Sequence, residues 1–89
     1  MHSVLVNFFQ IFSDFKDTSF YLTGESFCGK YIPQMADTIL TYNKENSKNY
    51  PINLKGVILS NPLIHPEVQR PLISTLATTI GLVSDKQIE

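Results

Sequence analysis

Ser19-Phe20-Tyr21-Leu22-Thr23-Gly24-Glu25-Ser26-Phe27-Cys28-Gly29 is the stretch on which the reading of this 89-residue chain turns. Phe20 to Leu22 read as a short apolar strand, a helix leaves the other side of a tight turn, and a serine stands at the apex between them. A strand–turn–helix of this kind lifts a serine hydroxyl clear of the end of a sheet, the layout of a nucleophile elbow. It requires small residues two before and two after the serine, because strand and helix pack closely where the chain turns back. Gly24 and Cys28 occupy those positions, and Gly29 adds a further residue without a side chain. The Phe27 N–H then opens the helix, a place from which a backbone donor can stabilise an oxyanion. Taken alone, a glycine-x-serine-x-small string also occurs in ordinary strand-to-helix turns. Cys28 at a helix start has the setting of a reactive thiol, but the need for a small residue there assigns it to packing.

Outward from the elbow, Leu5, Phe8, Phe9 and Phe12 follow a helical spacing, with Ser3 as the expected N-cap. Lys16-Asp17-Thr18 closes that element, and the strand at Phe20 is expected to be covered on both faces, as in a parallel sheet. On the other side, Ile32, Met35, Ala36, Ile39 and Leu40 make one apolar helical stripe, with Pro33 in its first turns. Asn43 to Tyr50 reads as a solvated loop, and Leu54 to Leu59 as the next strand. The strand–helix–strand order implies a parallel crossover. Ser60 to Pro66 leaves that strand at the rim where open α/β sheets bind ligands. Leu72, Ile73, Leu76, Ala77 and Ile80 form a short amphipathic helix stopped by Gly81. Ser84-Asp85-Lys86-Gln87 resembles a capping box opening another helix.

Composition bounds what the chain does. Hydrophobic residues make up 43% and charged residues 17%, ordinary for a soluble domain. A formal net charge of −1 supplies no field for nucleic acid or an anionic membrane. One cysteine excludes an internal disulfide and any site built of cysteine pairs, and no metal is expected. Met1 to Phe15 is apolar in part, but Asn7 and Gln10 interrupt it and no basic residue precedes it, so it does not read as a signal peptide. No run approaches the length of a membrane span.

Gly24-Glu25-Ser26-Phe27-Cys28-Gly29-Lys30-Tyr31-Ile32-Pro33 resembles the active-site signature of the serine carboxypeptidases, exopeptidases of the α/β-hydrolase fold. Ile52 to Leu59, then Pro66-Glu67-Val68-Gln69, then Gly81-Leu82-Val83-Ser84 agree with it in order and spacing, so the likeness covers nearly the whole chain. The resemblance implies an α/β class and an incomplete α/β-hydrolase fold. Residues 1–89 then form a single partial domain, ordered helix–strand–elbow–helix–strand–helix with a parallel strand pair. It implies Ser26 as nucleophile, Phe27 as an oxyanion donor and Glu25 as the residue that recognises a substrate's terminal carboxylate at acidic pH. An ionised carboxylate beside a developing oxyanion would oppose the reaction, so that position suits a group protonated when active. Peptide and protein C-termini are the implied substrates, no cofactor is implied, and the implied location is a lysosome, a vacuole or the outside of the cell.

Within the chain Asp37 and His65 are the formal partners for Ser26. Asp37 lies eleven residues on, about 15 Å along a helix at 1.5 Å per residue. His65 sits at the right rim between Ile64 and Pro66 but has no evident acid to orient it. The resemblance places the acid and histidine beyond Glu89, and one oxyanion donor before Met1. This sequence departs from the family at Ser60-Asn61-Pro62, usually Gly-Asn-Gly, and at His65, usually aspartate. The expected function is therefore that of a serine-type carboxypeptidase segment, inactive alone and dependent on the remainder of the domain. The alternatives are a non-catalytic truncated product that works by binding, or a relative that transfers acyl groups to alcohols.

Overall fold

The computed structural model describes residues 1–46 and 50–87, apart from the side chain of Asp85. The first helix, α1 (His2–Ile11), buries Phe9 and half-buries Leu5 and Val6. It starts two residues earlier than the sequence suggests: Met1, not Ser3, is its N-cap, and no side chain caps it. Phe8 and Phe12, expected on the packed face, are 42% and 49% exposed and stack on one another at 4.9 Å. α1 is covered along a narrow stripe, by the Phe20 ring against Phe9 at 5.7 Å and by Tyr42 against His2 at 4.3 Å.

Strands β1 (Phe20–Glu25) and β2 (Leu54–Ser60) pair in parallel, as the strand–helix–strand order requires. Leu22 lies opposite Val57, Gly24 opposite Leu59 and Glu25 opposite Ser60, so both strands end together at the elbow. The side chains of Phe20, Leu22, Leu54 and Leu59 join the core. The opposite face does not match the expectation of cover on both sides. Tyr21 is 54% exposed and Ile58 60%.

The connecting helix, α2 (Cys28–Glu45), buries Ile32 and Ile39 and half-buries Met35 and Ala36. Leu40 stands outside this stripe, exposed, because one residue beyond Ile39 is about 100° further round the helix. The expected loop from Asn43 begins later than the sequence suggests, since Asn43 lies in the last turn of α2; residues 47–49 lie outside the described residues. The Asn43 amide pairs with the backbone of fully buried Ile52, Nδ2 donating to its carbonyl at 2.7 Å and Oδ1 accepting its N–H at 2.9 Å. These two bonds fix the entry to β2. Asn43→Ala leaves the buried Ile52 N–H unpaired and its carbonyl with the Leu54 N–H alone, at 2.7 Å. It should cost about 2–3 kcal/mol, read as a fall in the urea midpoint with Asn43→Asp intermediate; an unchanged midpoint for the alanine variant would contradict the pairing.

Beyond β2 come α3 (Pro66–Gln69) and α4 (Pro71–Thr79). Gly81 ends α4 as expected, at φ 74°, and the Leu82 N–H turns back to the Ala77 carbonyl at 2.9 Å. The amphipathic pattern of α4 is not buried, however: Leu72, Ile73, Leu76 and Ile80 all remain at least 59% exposed. Ser84 and Gln87 make half of the expected capping box. The Ser84 N–H donates to Gln87 Oε1 at 2.9 Å, but the turn it opens, Asp85–Gln87, is a 3-10 turn within the described residues. The molecule is long, 61 × 22 × 18 Å with a radius of gyration of 19.3 Å, where a compact chain of this length has about 12 Å.

Candidate active site

The serine at the strand–helix junction adopts φ 55°, the left-handed region that non-glycine residues rarely enter. Holding it there costs of order 1–3 kcal/mol, which the surrounding bonds must offset. They come from the end of β2. The Ser26 N–H donates to the Ser60 carbonyl at 3.0 Å, extending the parallel ladder to the turn. The Ser26 carbonyl accepts from the Leu63 N–H at 2.7 Å and from the Gly29 N–H at 3.1 Å. Both main-chain groups of the serine are thus clamped, and its side chain is left exposed at the rim.

The small residues around it meet the steric demand read from the sequence. A Cβ on Gly24 would lie 2.5 Å from Cys28 Cβ and 2.8 Å from its Sγ, so glycine and cysteine are in contact where β1 and α2 cross. Cys28 is half-buried with a free thiol, in a packing position. A Cβ on Gly29 would lie 2.8 Å from both the nitrogen and the oxygen of Leu63. Phe27, the N-cap of α2, has helical dihedrals, and no acceptor among the described residues takes its N–H. The Phe27 ring is half exposed and meets Tyr31 edge-on at 5.3 Å. Glu25 ends β1 with its side chain exposed, one residue from the serine and in register with Ser60.

Asp37 lies on the exposed side of α2, away from the elbow. His65 is exposed on the loop after β2, where its N–H donates to Gln69 Oε1 at 2.8 Å. Among the described residues no hydrogen bond joins the Ser26 hydroxyl to either. His65 instead lines a hollow of about 350 Å³ with Lys30, Ile64, Pro66 and Glu67 beside the first turn of α2. No group of three or more side chains suited to a metal ion comes together among the described residues. No helix among them is long and apolar enough to cross a membrane.

Sequence reasoning missed the Leu63 N–H, which carries no side-chain signature. It also left Gln69 as a mere part of a motif. The family model for serine carboxypeptidase matches residues 1–89. The chain belongs to the serine carboxypeptidase family. It is similar to serine carboxypeptidase-like 26 of Oryza sativa subsp. japonica, 40% identical over 99% of this chain and 18% of that protein. It is similar to serine carboxypeptidase-like 44 of Arabidopsis thaliana, 37% identical over 92% of this chain and 17% of that one. A probable serine carboxypeptidase, CPVL, of Pongo abelii is 38% identical over 98% of this chain and 18% of its own length. The chain therefore spans under a fifth of the length of these relatives. No solved structure matches it. Family membership makes the α/β arrangement around Ser26 part of an α/β-hydrolase family, and gives the motif from Gly24 to Pro33 its context.

Proposed function

We propose that the chain is the nucleophile-bearing segment of a serine-type carboxypeptidase. The observation that carries this reading is the left-handed Ser26, clamped through both main-chain groups with its side chain exposed at the end of a parallel pair. The Ser26 hydroxyl attacks the last peptide carbonyl of a substrate, and a histidine takes its proton. Charge develops on the carbonyl oxygen, where the Phe27 N–H is one donor. The C–N bond breaks as the histidine returns the proton to the departing amino acid, and water then hydrolyses the acyl-serine. Glu25 recognises the substrate's free carboxylate.

The acid and the histidine of the triad come from chain outside residues 1–89. The 89-residue chain alone is inactive on this proposal, because neither Asp37 nor His65 bonds to Ser26. Action in a lysosome or vacuole, or after secretion, belongs to the same proposal.

The test uses the complete enzyme that supplies the acid and histidine, with a blocked dipeptide and its C-terminally amidated twin. The expected result is release of the C-terminal residue from the free acid in clear preference to the amide. Glu25→Ala should raise KM for the free acid about tenfold or more, the cost of losing a hydrogen bond to a charged group. Ester formation with an added alcohol, with no amino acid released, would instead mark an acyltransferase.

A further inference from the structure

The loop after β2 is held by one side chain. Gln69, half-buried at the end of α3, donates from Nε2 to the Pro62 carbonyl at 2.9 Å. Its Oε1 accepts the N–H of Ile64 at 2.9 Å and that of His65 at 2.8 Å. Three main-chain groups of a four-residue stretch thus end on one amide, and Leu63, inside the stretch, donates to the Ser26 carbonyl at 2.7 Å. The loop needs such a tie. Asn61 enters it at φ 41°, another left-handed non-glycine residue, and Pro62 has no N–H of its own with which to anchor it.

We infer that Gln69 is a positioning residue for Ser26: its amide fixes residues 62–65, and their Leu63 N–H fixes the peptide of the serine. The inference rests on the reading of Ser26 as nucleophile. It extends that reading to a side chain that does not touch substrate. A shift of the elbow by a fraction of an ångström misaligns the attacking oxygen, and displacements of about 1 Å cost on the order of a hundredfold in rate. Gln suits the task because it donates and accepts at once. Glutamate keeps the acceptor oxygen but regains the donor only when protonated.

The experiment compares wild type, Gln69→Met and Gln69→Glu in the complete enzyme, with active sites titrated by a serine-directed phosphonate so that unfolded protein is not counted. Gln69→Met should lower kcat per titrated site about tenfold or more, with KM within a factor of two or so. The phosphonate rate should fall in parallel. Gln69→Glu should be impaired near neutrality and recover toward wild type as pH falls through the ordinary glutamate range near 4.3. Lys30, His65 and Glu67 line the hollow beside this loop, Arg70 follows Gln69, and all four are present in both proteins, so the quantity read is the ratio of variant to wild type. A Gln69→Met enzyme with wild-type kcat per site, or a Gln69→Glu ratio flat with pH, would overturn the inference while leaving Ser26 as nucleophile. A wild-type enzyme that fails to react at Ser26 would overturn both.

Discussion

Ser26→Ala in the complete enzyme should reduce kcat by about 10⁴- to 10⁶-fold while leaving the fold and peptide binding intact. The size of the effect follows from the role. A serine nucleophile and its histidine act as a unit, so removing the oxygen removes the covalent route, and only the oxyanion donors and bound water remain. The side chain is exposed, so the change creates no cavity. The left-handed φ of 55° is still demanded of alanine, but the Ser60 and Leu63 bonds are main-chain and survive the substitution. Thermal stability should therefore stay within about 1 kcal/mol of wild type, typical of surface substitutions. Loss of less than tenfold in kcat would mean that another group attacks the substrate.

The second large effect is expected at Gly29. A methyl group there would sit 2.8 Å from the Leu63 nitrogen and oxygen and from Pro62 Cβ. Two of these three neighbours are main-chain atoms, which cannot swing aside as a flexible side chain would. Either the first turn of α2 lifts, taking the Phe27 N–H with it, or the loop retreats and its Leu63 bond to Ser26 breaks. Gly29→Ala should thus cost about 3 kcal/mol in stability, the upper part of the range for overpacking. It should also lower kcat per folded molecule ten- to a hundredfold, since both routes disturb the geometry of attack. Urea unfolding and titrated kinetics read the two effects separately. A variant of wild-type stability and rate would show that the contact between α2 and the loop is not needed.

The elbow was legible in the sequence because its demands are local. A strand, two small residues at fixed offsets and a helical stripe must coincide within about a dozen positions, and at Gly24, Ser26 and Cys28 they do. The α2 stripe was legible for the same reason, through Ile32, Met35, Ala36 and Ile39. The fate of α4 was not, because periodicity shows which side of a helix seeks cover but not what provides it. Tyr21 and Ile58 make the same point for the sheet: alternation assigns them to a face, and the face is open. The pairing of Asn43 with Ile52 joins residues nine apart across a polar stretch with no pattern of its own. Gln69 is the most instructive case. Its place in a family motif was visible, but its three bonds depend on a loop whose path is set by left-handed Asn61 and by Pro62, and no periodicity reports that path.

The most direct test of Ser26 as the nucleophile is to treat the complete enzyme with a serine-directed phosphonate and map the adduct by peptide mass spectrometry. The expected result is a single stoichiometric adduct on Ser26, absent from the Ser26→Ala protein. An active enzyme whose adduct lies on another residue, or which turns over substrate while Ser26 stays unmodified, would contradict it.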